Sequence, residues 1–268
     1  MKDNKGDILY HYTSMNTFFE IMKGVESFES DVKFWASHVS FMNDPGEYMY
    51  LIREIGEMLR EHELFAESDG LFYLADSLRW DIQTLDNVSG QPAVFSLSEK
   101  RDELTMWQVY GQGGRGIAIG FDRGELLSIG EDWQLYQCQY LSRDNVRKII
   151  DIDEVRSCFG GDEDGNARAD LVALNQVIAN RILVKHPAFI HEGEWRLSKN
   201  DHLNYKYRER NGLIIPYLEL KLKAYSIREI WIGPTAYPNL SEKSMMMFLH
   251  SLQINYSLYK SSIPYSNI

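Results

Sequence analysis

Ile8-Leu9-Tyr10-His11-Tyr12-Thr13-Ser14 reads as a β-strand running straight into a helix. The apolar and aromatic run suits a strand, and the two hydroxyl residues that end it are of the type that opens a helix. The spacing predicts a helix from Ser14 through Lys23, with Met15, Phe18, Phe19 and Met22 on one face and Gly24 as its stop. His11 then sits where a strand meets a helix N-terminus. It either touches a ligand there or packs.

Outward from this junction, Val32 to Phe41 reads as a strand rich in β-branched and aromatic residues. Asn43-Asp44-Pro45-Gly46-Glu47 fits a capping box opening a helix through Leu59, and Leu71, Leu74, Leu78, Ile82 and Leu85 mark a second helix. Strands are expected at Pro92 to Ser98, Ile117 to Phe121, Trp133 to Leu141, Gly193 to Ser198, Leu213 to Leu222, Ile227 to Ile232 and Asn255 to Ile263. Glu99 to Tyr110 reads as a turn and a short helix, and further helices are expected at Asp144 to Phe159, Arg168 to Lys185, and from Ser241 through Leu252. Gly160 to Asn166 reads as a mobile acidic loop and Asn204 to Arg210 as a basic, aromatic one. Strands scattered among irregular helices, without linkers or repeats, predict one α+β domain over residues 1–268.

Acidic residues outnumber basic ones, 39 to 28, which argues against non-specific binding to nucleic acid or anionic membrane. No apolar run is long enough to span a membrane and no basic-then-apolar leader opens the chain, so a cytoplasmic, membrane-free protein is expected. Cys138 and Cys158 are too few for a disulfide framework and are expected as buried thiols.

Three constellations carry possible chemistry. His11 lies between Tyr10 and Tyr12, an imidazole donor or acceptor beside rings that stack on heterocycles. Lys185-His186-Pro187-Ala188-Phe189-Ile190-His191-Glu192-Gly193-Glu194-Trp195-Arg196 sets two carboxylates at i and i+2, on one side of a strand. Their proximity favours a raised pKa at one of them, and a carboxylate there suits positive charge developing on a sugar. The alternative is a salt-bridged turn, with Glu194 neutralised by Arg196 or Lys185. His186, His191, Glu192 and Glu194 are metal-ligand types, but Pro187 breaks the helix that a His-Glu-x-x-His site needs. Third, Gly113-Gly114-Arg115-Gly116 either approaches a phosphate, with Arg115 pairing to it, or simply turns the chain. No Walker loop, G-x-G-x-x-G or G-x-S-x-G is present.

In combination, several motifs resemble a bacterial family known only as domain of unknown function 2971. They are Leu9 to Ser14, Met42 to Glu47, Phe95 to Glu99 with Met106-Trp107 and Tyr110-Gly111, Gly116 to Phe121, Glu192 to Arg196, Ile232-Gly233-Pro234 and Ser262 to Tyr265. More distantly, the order of a His-aromatic strand, an aromatic-Ser strand and a late Glu-x-Glu is similar to that of ADP-ribosyltransferases. That resemblance implies a mixed, split β-sheet core with helical insertions, and an NAD substrate handled without metal. His11 would orient the adenosine-side ribose or the carboxamide, and Tyr12 or Trp35 would stack on nicotinamide. Thr13, Ser37 and Arg115 would complete the cofactor-binding set. Glu194 would bond the nicotinamide ribose and Glu192 would position the acceptor, which is protein, nucleic acid, small molecule or water. Phe34 and Tyr48 compete with Trp35 for the aromatic role. The expectation is an ADP-ribosyltransferase or NAD glycohydrolase, as a toxin or phage-defence effector. A non-catalytic nucleotide- or protein-binding module and a metal-assisted nuclease are the alternatives.

Overall fold

The computed structural model describes residues 8–42, 45–64, 67–71, 92–130, 132–149, 151–161, 167–169, 183–201, 204–210 and 212–264. β1 (Ile8–Thr13) is the expected strand. The Ser14 side chain accepts a 3.0 Å hydrogen bond from the Thr17 amide and caps α1 (Met15–Met22). Phe18 and Met22 are buried in the core, while Phe19 falls off that face and is 46% exposed.

The chain continues through β2 (Asp31–His38), α2 (Pro45–Glu61), β3 (Ala93–Ser98), α3 (Leu104–Val109), β4 (Ile117–Asp122), α4 (Arg123–Leu127), β5 (Gln134–Gln137) and β6 (Gln139–Tyr140). Next come α5 (Arg143–Ile149), α6 (Ile152–Ser157), β7 (Phe159–Gly161), β8 (Ala167–Ala169) and β9 (Val184–Lys185). β10 (Glu194–Lys199), β11 (Lys206–Arg210), β12 (Leu213–Lys223), β13 (Ile227–Ile232), α7 (Pro238–Ser251) and β14 (Ser257–Lys260) follow.

One mixed sheet organises this α+β fold, in the order β11-β12-β2-β3-β1-β4-β13-β14, with β10 on β3 and β5 on β10. Among the described residues only β14 joins it in parallel, beside β13. β3 has three neighbours. Its one edge is laddered to β10 throughout, from Ala93↔Lys199 to Ser98↔Glu194. Its other edge meets β1 at Tyr10↔Ser98 and β2 at Ser37↔Val94 and His38↔Ala93. Between those contacts β1 and β2 part, and the sheet is split.

Directly opposed residues share a face. One face carries Leu9, Phe34, Phe95, Ile119, Phe121, Leu197 and Leu220, all buried, under Phe18 and Met22 of α1 and Met245 and Leu249 of α7. On the other, Tyr10, Tyr12, Ala118 and Trp231 pack beneath Met106 and Trp107 of α3. A separate apolar cluster joins α2 (Ile55, Leu59), Leu71, α5 (Val146), α6 (Val155), Cys158 and β9 (Val184), which makes these insertions a small unit of their own. Both cysteines are free and buried.

Several boundaries differ from the sequence expectations. The second strand ends at His38, and Val39–Phe41 is a 3-10 turn. The strand expected to reach Leu141 breaks at Cys138, whose amide donates to the Glu194 carbonyl while the chain passes from β5 to β6. The helix expected over Asp144 to Phe159 is two helices, because Asp151 accepts from the Asp153 and Glu154 amides and caps α6. Arg168 lies in β8 and Lys185 in β9, not in one helix. The basic stretch is strand β11, not a loop, paired with β12 through Lys206↔Tyr217. α7 starts at Pro238, ahead of Ser241. Asn43, Asp44, Leu74, Leu78, Ile82, Leu85 and residues 162–166 lie outside the described residues.

Candidate functional site at the parting of the strands

His11 fills the split. Between Tyr10↔Ser98 and Ser37↔Val94 the edge of β3 lacks a strand partner, and the Ser96 carbonyl lies 2.9 Å from His11 Nδ1. The imidazole stacks on Phe95 with ring centroids 4.3 Å apart. A carbonyl only accepts, so Nδ1 carries the hydrogen and Nε2 of the neutral ring is an acceptor. Nε2 makes no hydrogen bond among the described residues. Burial lowers the His11 pKa to about 4, with the Ser96 carbonyl opposing and the Arg208 charge adding to the shift. At neutral pH His11 is therefore uncharged, with a free lone pair.

Trp35 and Ser37 line the β2 side, on the sheet face shared with Tyr217 of β12. Arg208 of β11 reaches over them. Its guanidinium carbon lies 4.8 Å from the Trp35 ring centroid and 6.0 Å from that of Tyr217, and Nη2 donates to Ser37 Oγ at 3.1 Å. Arg208 Nε is shielded from solvent and unbonded. Burial, and then the neighbouring Arg210 charge, lower the Arg208 pKa.

The other expected cofactor contacts are placed differently. Tyr12 is buried, with its hydroxyl donating to the Lys100 carbonyl at 2.8 Å and its ring edge-on to Trp107. Thr13 is buried too. A Cβ on Gly116 would stand 2.3 Å from the Thr13 carbonyl oxygen, so this glycine serves close backbone approach. Arg115 is exposed and makes no ion pair among the described residues. Phe34 belongs to the core, and the Tyr48 side chain lies outside the described residues.

Glu192 and Glu194 anchor a buried ion cluster on β3's far side. Gly193, at φ 49°, turns the chain between them with a left-handed backbone that favours glycine. Lys185 Nζ donates to Glu192 Oε2 at 2.5 Å and to Glu194 Oε2 at 2.8 Å. Arg196 forks onto Glu194, Nε to Oε1 at 3.0 Å and Nη2 to Oε2 at 2.9 Å. The Tyr110 hydroxyl donates to Glu192 Oε1 at 2.9 Å. Two cations against two carboxylates reverse the shift expected from the carboxylate pair. Burial would raise the Glu194 pKa, but Arg196 and then Lys185 outweigh it and hold the group below the usual carboxylate range. Both cations named in the salt-bridged alternative make their contacts.

Tyr10, Ser98 and Glu194 form one row across β1, β3 and β10, so they share a face, and His11 points to the other. The two principal candidates are two strands apart, about 10 Å in the plane of the sheet.

His186 and His191 are exposed, and His186 Nδ1 accepts from the Ala188 amide to cap a turn. Among the described residues, no three His, Cys, Asp or Glu side chains gather around a possible metal position. No helix among them is long and apolar enough to cross a membrane.

The strand alternation of Lys206-Tyr207-Arg208-Glu209-Arg210 was the available signal for Arg208. Reading this stretch as a loop hides it.

The family described as a protein of unknown function, DUF2971, matches residues 106–197. That span holds the Met106-Trp107, Gly116 to Phe121 and Glu192 to Arg196 motifs, and it leaves β1 and β2 outside. Neither a curated protein nor a solved structure matches the chain.

Proposed function

We propose that the chain binds NAD where β1 and β2 part and cleaves its nicotinamide–ribose bond, passing ADP-ribose to an acceptor or to water. The observation that carries this reading is the neutral His11, whose Nε2 is unbonded among the described residues and lies where β1 and β2 part. Nε2 accepts from a ribose hydroxyl or a carboxamide N–H, and the indole of Trp35 offers a planar surface for a heterocycle. The C–N electron pair leaves with nicotinamide, which departs neutral. The incoming nucleophile bonds to the ribose carbon that the C–N bond leaves and gives up its proton to solvent. A dinucleotide threaded through the split reaches both sheet faces. Turnover then requires Glu194 to exchange Lys185 for the ribose hydroxyl while keeping Arg196. NAD consumption in the cytoplasm would suit a toxin or phage-defence effector, the context expected from the distant resemblance.

The test is nicotinamide release from NAD by the purified chain and by His11→Ala, with NAD affinity measured by calorimetry. Absence of NAD binding by the folded wild type would sink the reading.

One observation favours a second reading, a nucleotide-binding module without turnover. Both Glu194 oxygens are taken by buried cations, on the face away from His11. It predicts saturable NAD binding with no nicotinamide released.

A further inference from the structure

We infer that Arg208, laid over Trp35 and bonded to Ser37, is a phosphate-binding residue that takes the pyrophosphate of the nucleotide entering the split; the pyrophosphate's place in NAD rests on the reading above, but the anion site does not. The described structure matches its buried cations with acids: Lys185 pairs with Glu192 and Glu194, and Arg196 with Glu194. Arg208 pairs with no carboxylate among the described residues. Glu219 is the acid opposite Trp35, and it is held by Lys206 at 2.8 Å and approached by Lys33 at 3.7 Å.

A guanidinium partly withdrawn from water, with an unbonded Nε–H, is unfavourable unless an anion completes it. The contact with Trp35 and the bond to Ser37 hold the guanidinium, and its remaining N–H donors suit a tetrahedral oxyanion. Register sets Arg208, Trp35 and Ser37 on the sheet face of Ser98 and Glu194, across the sheet from the His11 ring. A ligand with an anion on Arg208 and a ribose hydroxyl on His11 Nε2 passes through the split between β1 and β2. Sequence spacing does not show this, because β11 reaches β2 only across β12.

The experiment is calorimetry of the full chain with inorganic pyrophosphate, ADP-ribose, NAD and adenosine, using wild type, Arg208→Gln and Arg208→Lys. Arg208→Gln is expected to weaken pyrophosphate and ADP-ribose by about tenfold or more, the scale of a lost charged hydrogen bond, and to leave adenosine unchanged. Arg208→Lys keeps the charge without the fork and is expected to fall between. Thermal unfolding of each variant identifies any that fails to fold. If Arg208→Gln does so, the Lys variant decides, and wild-type affinity in it overturns the proposal. Pyrophosphate that binds wild type and Arg208→Gln equally, or binds neither, also overturns it. Arg208-dependent binding of pyrophosphate without any NAD binding would retain the anion site and sink the NAD reading. NAD affinity unchanged in Arg208→Gln would retain the NAD reading and overturn the placing of its pyrophosphate on Arg208.

Discussion

His11 and Glu194 leave the sheet from opposite faces, because Tyr10, not His11, shares the row of Ser98 and Glu194. Any single ligand that touches both must pass through the split beside β3. His11 then reports on binding and Glu194 on turnover. His11→Ala is expected to lower NAD affinity about tenfold, by loss of one buried hydrogen bond. Glu194→Gln is expected to leave affinity within threefold while abolishing nicotinamide release. Calorimetry and a nicotinamide assay on the two variants check the division.

The buried imidazole couples stability to pH. The His11 pKa is lowered to about 4 from 6.5, so between those values the unfolded chain binds more protons. The stabilisation, about 3 kcal/mol, is complete above pH 6.5 and lost as pH falls toward 4. Urea unfolding at pH 7 and pH 4.5 is expected to show a smaller acid loss in His11→Gln than in wild type.

Lys185 joins both carboxylates, so its removal leaves Glu192 and Glu194 short of a cation in a buried site. Lys185→Met is expected to cost about 3–5 kcal/mol, and adding Glu192→Gln to recover part of that. Wild type is also expected to lose stability in acid once pH drops below the ordinary carboxylate range, because the Glu194 pKa is depressed in the folded state. Chemical denaturation of the single and double variants gives both quantities.

The turn before β4 is expected to act through its backbone. A methyl group at Gly116 meets the Thr13 carbonyl at 2.3 Å and the Gly111 carbonyl at 2.8 Å, so Gly116→Ala is expected to destabilise by about 2 kcal/mol or more. Arg115→Ala, at an exposed side chain, is expected to change stability by less than about 0.5 kcal/mol. Thermal melts compare the two. Loss of pyrophosphate binding in Arg115→Ala would reassign the phosphate contact to this turn.

Tyr12 is expected to be structural. Tyr12→Phe loses the bond to the Lys100 carbonyl, about 1 kcal/mol, with NAD affinity unchanged. An affinity loss beyond threefold would return Tyr12 to the ligand.

Local patterns were legible where one segment specifies its own structure. The Ser14 cap, the buried run Ala93 to Ser98 and the strand after Gly116 follow from side-chain periodicity and capping chemistry. The relation of His11 to Glu194 is set by register across β3, which no spacing along the chain contains. Lys185 reads from sequence as a helix end, because the parallel pairing that makes it a strand residue comes from Gln139 and Tyr140. Arg208 was hidden by a polar composition that suits a loop and a charged edge strand equally well.

The threefold pairing of β3 also bears on how the chain reaches this state. His11 meets Ser96 across 85 residues, and Ser98 meets Glu192 across 94. Contacts of such separation form late and slowly. On a translating ribosome, at about 5–20 residues per second, β3 waits several seconds for β10 with one edge bare. Nascent chains paused before β10 hold the strands that frame His11, β1, β2 and β3, but leave the far edge of β3 open to mispairing.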